Sequence, residues 1–182
     1  MAAQASLLSA ATKGSIWTIG HSTRSAEDFA GVLSAYDIEL LVDVRRFPGS
    51  RRLPQFESAA LAAFLASRGI DYTWLASLGG RRRPAAASEN TGWRHPAFRA
   101  YADHIATEEF AEGLFELTML ASGLRTAIMC AEVLWWRCHR RIISDVLTSL
   151  GWTVVHIRDA EHSEVHELRL PGRVVGGRLV YS

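Results

Sequence analysis

The sequence predicts an α/β fold: a single three-layer α/β/α domain with a mainly parallel sheet of about five strands and a C-terminal hairpin. Three observations predict it. Short apolar runs rich in β-branched residues recur along the chain, separated by stretches with apolar residues at helical spacing. Leu40-Leu41-Val42-Asp43-Val44 is apolar almost throughout instead of alternating, as suits a strand covered on both faces. The residues able to do chemistry gather at the ends of these runs, where open parallel sheets bind ligands.

The elements follow in order. Residues 1–14 are small, polar and Ala-rich with no basic start, and read as a frayed tail before a domain spanning 15–182. Ser15 to Ile19 is the first strand, ending in Gly20-His21-Ser22-Thr23. Ser25 opens a helix with Asp28 three residues on, and Phe29, Val32, Leu33 and Tyr36 line its apolar side. After the second strand, Leu40 to Val44, Pro48, Gly49 and Pro54 break a loop that carries Arg45, Arg46, Arg51 and Arg52. Ser58 is placed to cap a helix through Leu61, Phe64 and Leu65, with Gly69 as its stop. Ile70 to Leu75 is the third strand, followed by a long irregular stretch from Ala76 to Arg94. Two helices span His95 to Thr107 and Glu108 to Ser122. Arg125 to Met129 is the fourth strand, Arg140 to Leu150 a helix, and Trp152 to Ile157 the fifth strand. Residues 173–181 form a hairpin turning at Gly176-Gly177.

At 182 residues and 48% hydrophobic, the chain is long and apolar enough for one full core. No apolar run reaches membrane-spanning length, so no membrane partner is expected. Two cysteines do not make a disulfide scaffold; a reduced pair and a cytoplasmic location follow. A net charge of +1 argues against a general nucleic-acid coat. The basic residues are nineteen Arg and one Lys, and residues 45–99 hold ten Arg against three acids. Genomic base composition produces such a bias, and so does a need for planar, bidentate binding of phosphate or carboxylate.

The stretch Met129 to Arg140 concentrates the chemistry on one strand-to-helix turn. Cys130, facing a helix N-terminus and arginines, reads as a nucleophile or sensor thiol; an inert buried cysteine is the plain alternative. Glu132 reads as a general acid/base with Asp43 as its partner, or as an ion-paired residue bound to Arg45, Arg137 or Arg140. His21 and His139 are candidate bases. Cys-x₇-Cys-His is not a usual zinc spacing, and neighbours on a helix point about 100° apart, so neither metal nor other cofactor is expected. Ser22, Arg45, Arg51, Arg52, Gln55, Trp136, Arg137, His139 and Arg140 are expected to hold the ligand. Trp93, Trp135 and Trp136 beside the arginines suit phosphate contact with base stacking, or else simply fill the core.

Gly20-His21-Ser22, Asp43-Val44-Arg45 with Pro48, and Ser50-Arg51-Arg52 with Pro54-Gln55-Phe56 occur in order. So do Leu78-Gly79-Gly80, Gly92-Trp93-Arg94, and Cys130-Ala131-Glu132 with Trp136-Arg137-Cys138-His139-Arg140. On these motifs the chain resembles the family catalogued as domain of unknown function 488. The resemblance implies a small bacterial or archaeal α/β protein and brings no established reaction or oligomeric state. The expectation from chemistry is a small enzyme acting on a phosphate-bearing ligand, a nucleotide or nucleic acid, in a Cys/Glu/Arg cleft at the carboxyl ends of the strands. The alternative is a non-catalytic nucleic-acid-binding or regulatory module that uses the arginine-rich loops.

Overall fold

Strands and helices alternate as the apolar periodicity requires. A computed structural model describes residues 14–49, 51–83 and 85–182. Residues 1–13 of the tail expected at 1–14, and Ser50 of the arginine motif, lie outside the described residues. The order is β1 (Ser15–Gly20), α1 (Ala26–Ala35), β2 (Leu40–Asp43), α2 (Ser58–Ala66), β3 (Asp71–Trp74), α3 (Pro96–His104) and α4 (Glu108–Gly123). Then follow β4 (Thr126–Cys130), α5 (Arg140–Ser149), β5 (Thr153–Ile157), β6 (Ser163–Val165) and the hairpin β7 (Gly172–Val175) and β8 (Arg178–Tyr181).

The main sheet has strand order β3-β2-β4-β1-β5-β6. Its first five strands are parallel, and β6 pairs antiparallel with β5. The sequence does not announce this sixth strand, because Ser163–Val165 is three exposed residues with no apolar alternation. Alternate side chains sort to opposite faces. Ile16, Val42, Ile128 and Val154 meet α3, α4 and α5 through Tyr101, Leu114 and Ile142. Trp17, Ile19, Leu41, Ala127 and Met129 meet α1 and α2 through Phe29, Leu33 and Leu61. The three expected layers are present, each fully buried aliphatic or phenyl side chain contributing about 1.5–3 kcal/mol.

The caps set where helices begin. Ser25 Oγ accepts from Asp28 N at 3.0 Å, as the sequence suggests. At α2 the cap is Glu57, not Ser58. Glu57 keeps extended backbone and its Oε2 accepts from Ala59 N and Ala60 N, while Ser58 is already helical. Its negative charge also suits the helix N-terminus. The hairpin turns at Gly176 and Gly177, both with positive φ. No helix among the described residues is long and apolar enough to cross a membrane.

A buried polar chain ties the C-terminal segment to the sheet. Tyr181 OH and His166 Nε2 both donate to Asp145, at 3.0 and 2.8 Å. His156 Nε2 lies 2.9 Å from His166 Nδ1, and Thr18 Oγ1 2.7 Å from His156 Nδ1. All five residues are buried. With the carboxylate as final acceptor, every hydrogen bond in the chain runs the same way, so each buried polar atom along it finds a partner.

Candidate active site

The carboxyl ends of β1, β2 and β4 lie side by side. Gly20 is level with Cys130, and Asp43 with Met129. Pairing continues past the strands: His21 N donates to Cys130 O at 2.9 Å, Ser22 N to Ala131 O at 3.0 Å, and Val44 N to Met129 O at 3.0 Å. Beyond Cys130 the chain turns through residues 131–134, where Glu132 Oε1 accepts from Leu134 N at 3.1 Å. A 3₁₀ turn, Trp135–Arg137, follows. Cys138 is extended (φ −127°, ψ 154°) and His139 opens α5. Gly20 is required here: a Cβ on it would lie 2.0 Å from Glu132 O. Gly80 is required as well, since its Cβ would meet His139 Nδ1 at 2.8 Å.

Arg140 lies under this turn, 1% exposed. Its Nη2 donates to the carbonyls of Glu132 and Val133, and its Nη1 sits 3.5 Å from Thr18 Oγ1. Its Nε has no partner, and among the described residues it forms no ion pair. A buried positive charge therefore stands beneath the thiols. The sequence assigns Arg140 to ligand binding; the structure instead uses it to hold the turn.

Cys130 Sγ, Cys138 Sγ and a ring nitrogen of His139 all lie within 4.8 Å of one another. Cys138 Sγ is 3.4 Å from His139 Nδ1. His139 Nε2 donates to Val44 O at 2.8 Å, which aims Nδ1 at the Cys138 sulfur. Burial alone would push the Cys138 thiol up. The hydrogen bond from the Cys130 thiol, together with His139 and Arg140, outweighs it and holds Cys138 well below the ordinary thiol range. Cys130 goes the other way, because its proton is held by Cys138 and because it is buried. Of the two thiols Cys138 is thus the one favoured to ionise, whereas the sequence singles out Cys130. The divergence expected of Cys138 and His139 does not occur, because Cys138 is extended and not helical. A thiolate beside an imidazole can attack an electrophile or ligate a soft cation.

The cluster forms the floor of a cleft of about 550 Å³. Arg45, Phe47, Arg81, His95, Phe98, Glu132, Trp136 and Arg137 stand on its walls. Arg45 is pinned by Asp43, with Nε 2.9 Å from Oδ1 and Nη2 2.5 Å from Oδ2. Tyr72 OH donates to the same carboxylate at 2.7 Å. Asp43 is fully engaged in this and does not line the cleft, so it is no acid/base partner for Glu132. Glu132 is exposed and forms none of the expected ion pairs among the described residues. Arg46 and Arg82 are both paired with Glu109. Arg81 and Arg137 are exposed, and neither guanidinium has a partner among the described residues.

Several expected residues go elsewhere. His21 stacks on Phe56 at 4.1 Å, donates from Nδ1 to Ser22 O at 2.8 Å, and presents Nε2 to Arg45 Nη1 at 3.4 Å. It supports Arg45 from behind and does not line the cleft. Gln55 is used on Arg24 O at 3.1 Å. Ser22, Arg51 and Arg52 also lie off the cleft wall. Trp93 stacks on Phe98 in the core, and Trp135 stacks on His156 at 4.0 Å while donating to Glu164. Only Trp136 of the three tryptophans lines the cleft. Arg81 lines the cleft, as a sequence reading that places residues 81–83 in a loop overhanging it expects; that reading misses His95, Phe98 and Tyr101, which look only like helix residues.

Burial lowers His21 to about 4 and His156 to about 2. In the unfolded chain both protonate near pH 6.5, while in the folded chain neither does until these lower values. Stability is therefore full above pH 6.5 and falls as pH drops toward 4, by about 1.4 kcal/mol per pH unit for each residue. Urea midpoints measured between about pH 7 and pH 5 should drop steeply. A flat profile would show that these rings are not buried as neutral groups.

The family model described as Domain of unknown function DUF488 matches residues 25–147 of this chain. The chain belongs to this family. The matched span takes in Arg45, Arg81, the whole Cys130–Arg140 turn and most of α5, so the cleft is built almost wholly from the DUF488 region. Neither the curated proteins nor the solved structures compared contain a match to the chain.

Proposed function

We propose that this DUF488 chain is an enzyme that binds a phosphate-bearing ligand of about nucleotide size in the cleft and reacts it at the Cys130–Cys138–His139 floor. The observation that carries the reading is the placement of two guanidiniums without partners among the described residues, Arg81 and Arg137, in one cleft with the Cys130–Cys138–His139 cluster. Arg45, held rigidly by Asp43, adds a third cation on the wall. Planar guanidiniums suit the oxygens of a phosphate. Glu132, the one carboxylate among the described residues of the wall, is placed to take or give a proton. A single nucleotide is favoured over a strand of nucleic acid, because Trp93 and Trp135 are spent on packing and only Trp136 remains for a base to stack on.

Titration calorimetry with inorganic phosphate and nucleoside monophosphates tests this. The wild type should bind, and Arg137→Ala should weaken binding about 10–100-fold, the worth of a charge-assisted hydrogen bond. Glu132→Gln should leave affinity within about 3-fold, since it removes a proton-transfer group and not a binding charge. Absence of binding by any of these probes, or equal binding by Arg137→Ala, would defeat the proposal.

A further inference from the structure

We propose that Cys130, Cys138 and His139 form a three-ligand site for a zinc-class cation, with the fourth coordination position open to the cleft. This goes beyond the phosphate reading and stands on separate observations.

The first is the spacing of the donors. In a tetrahedral site with bonds of about 2.3 Å to sulfur and about 2.1 Å to nitrogen, a sulfur and a nitrogen ligand lie about 3.5 Å apart. Cys138 Sγ and His139 Nδ1 are separated by 3.4 Å, and Cys130 Sγ is within 4.8 Å of both.

The second is the support behind the imidazole. A metal-bound histidine characteristically donates its other ring N–H to a carbonyl or carboxylate, which fixes the tautomer and aims the lone pair. His139 Nε2 donates to Val44 O at 2.8 Å, and Gly80 lets the backbone approach the ring face closely. Nδ1 is thereby directed into the cluster before any ion arrives.

The third is charge and softness. Two thiolates and one imidazole neutralise a divalent cation and select zinc-class metals over magnesium or calcium, which prefer oxygen. Arg140 beneath the turn is buried and forms no ion pair among the described residues, so its carbonyl contacts alone hold the turn that presents the two sulfurs. The unusual sequence spacing is no obstacle. Zinc spacings describe ligands delivered by one local loop, whereas here β4 delivers Cys130 and the extended residue after the 3₁₀ turn delivers Cys138.

All three ligands face the cleft, so the site is not closed as a structural zinc site would be. Three protein ligands and an open fourth position are the arrangement of a catalytic centre, in which bound water becomes a usable nucleophile. Glu132 stands on the same wall.

The test uses the reduced full chain and cobalt(II) as the probe, with no phosphate ligand present. One equivalent should bind and show sulfur-to-cobalt charge-transfer absorption with the intense visible bands of a tetrahedral site. One equivalent of zinc should displace it and protect both cysteines from iodoacetamide. Cys138→Ser should weaken zinc by at least about 100-fold, beyond what losing a residue that merely orients a ligand does. Circular dichroism on this variant shows whether it folds; if it does not, thiol protection in the wild type decides. Substoichiometric binding, a spectrum without thiolate bands, or alkylation unaffected by zinc would overturn the proposal. So would a chain whose two cysteines simply form a disulfide and take no metal once reduced. Because no phosphate is present, failure here is distinct from failure of the anion-binding reading.

Discussion

Asp43→Ala is expected to destabilise the folded chain by about 3–5 kcal/mol, the loss typical of removing one partner from a buried ion pair. Asp43 is fully buried and supplies both carboxylate oxygens to Arg45, itself 6% exposed. Its removal strands a guanidinium below the cleft wall and also leaves Tyr72 OH without its acceptor. His21 cannot substitute, because burial keeps it neutral and its Nε2 offers only one long contact. The cause is separable from simple loss of packing. The double variant Asp43→Leu with Arg45→Met removes both charges together and should fall within about 2 kcal/mol of the wild type. Chemical denaturation of the three proteins measures this. Equal losses in the single and double variants would mean that the carboxylate matters for its shape and not for its charge.

The Asp43–Arg45 pair follows from sequence spacing, although the residue types alone point each of the two toward Glu132 instead. Residues two apart on extended chain point to the same face, so the two side chains are bound to be neighbours. The parallel sheet is legible too, because β2 is apolar on both faces and can only be a covered strand. The position of the cleft follows from that, since β1, β2 and β4 end together and carry Gly20, Asp43 and Cys130. What the sequence hides is the backbone of Cys138. Its helical neighbours suggest a helix, whereas the 3₁₀ turn before it leaves one extended residue that swings the thiol back toward Cys130. No periodicity marks one such residue. Nor does any local pattern reveal the Thr18–His156–His166–Asp145 chain, whose members come from four separate segments. It also explains Trp135, which covers His156 and so is unavailable to a ligand.

Gly20→Ala should cost about 2–4 kcal/mol, at the upper end of what overpacking does, because the obstacle is backbone that cannot rotate away. The added Cβ would stand 2.0 Å from Glu132 O and 2.7 Å from Val133 Cα. Relief requires the 131–134 turn to lift, and Glu132 O is one of the carbonyls that hold Arg140. Lifting it would leave a buried cation short of acceptors and draw Cys130 away from Cys138, so Cys130 should alkylate faster than in the wild type. Gly31 supplies the contrast. It lies inside α1 with nothing within 4 Å of the methyl that alanine would add, so Gly31→Ala should stabilise by about 0.5–1 kcal/mol through helix propensity alone. Opposite signs for the same chemical change would locate the constraint in the approach of β1 to the cysteine turn. The same sign for both would mean that the turn yields easily, and that the thiol–imidazole geometry does not depend on the glycine at the end of β1.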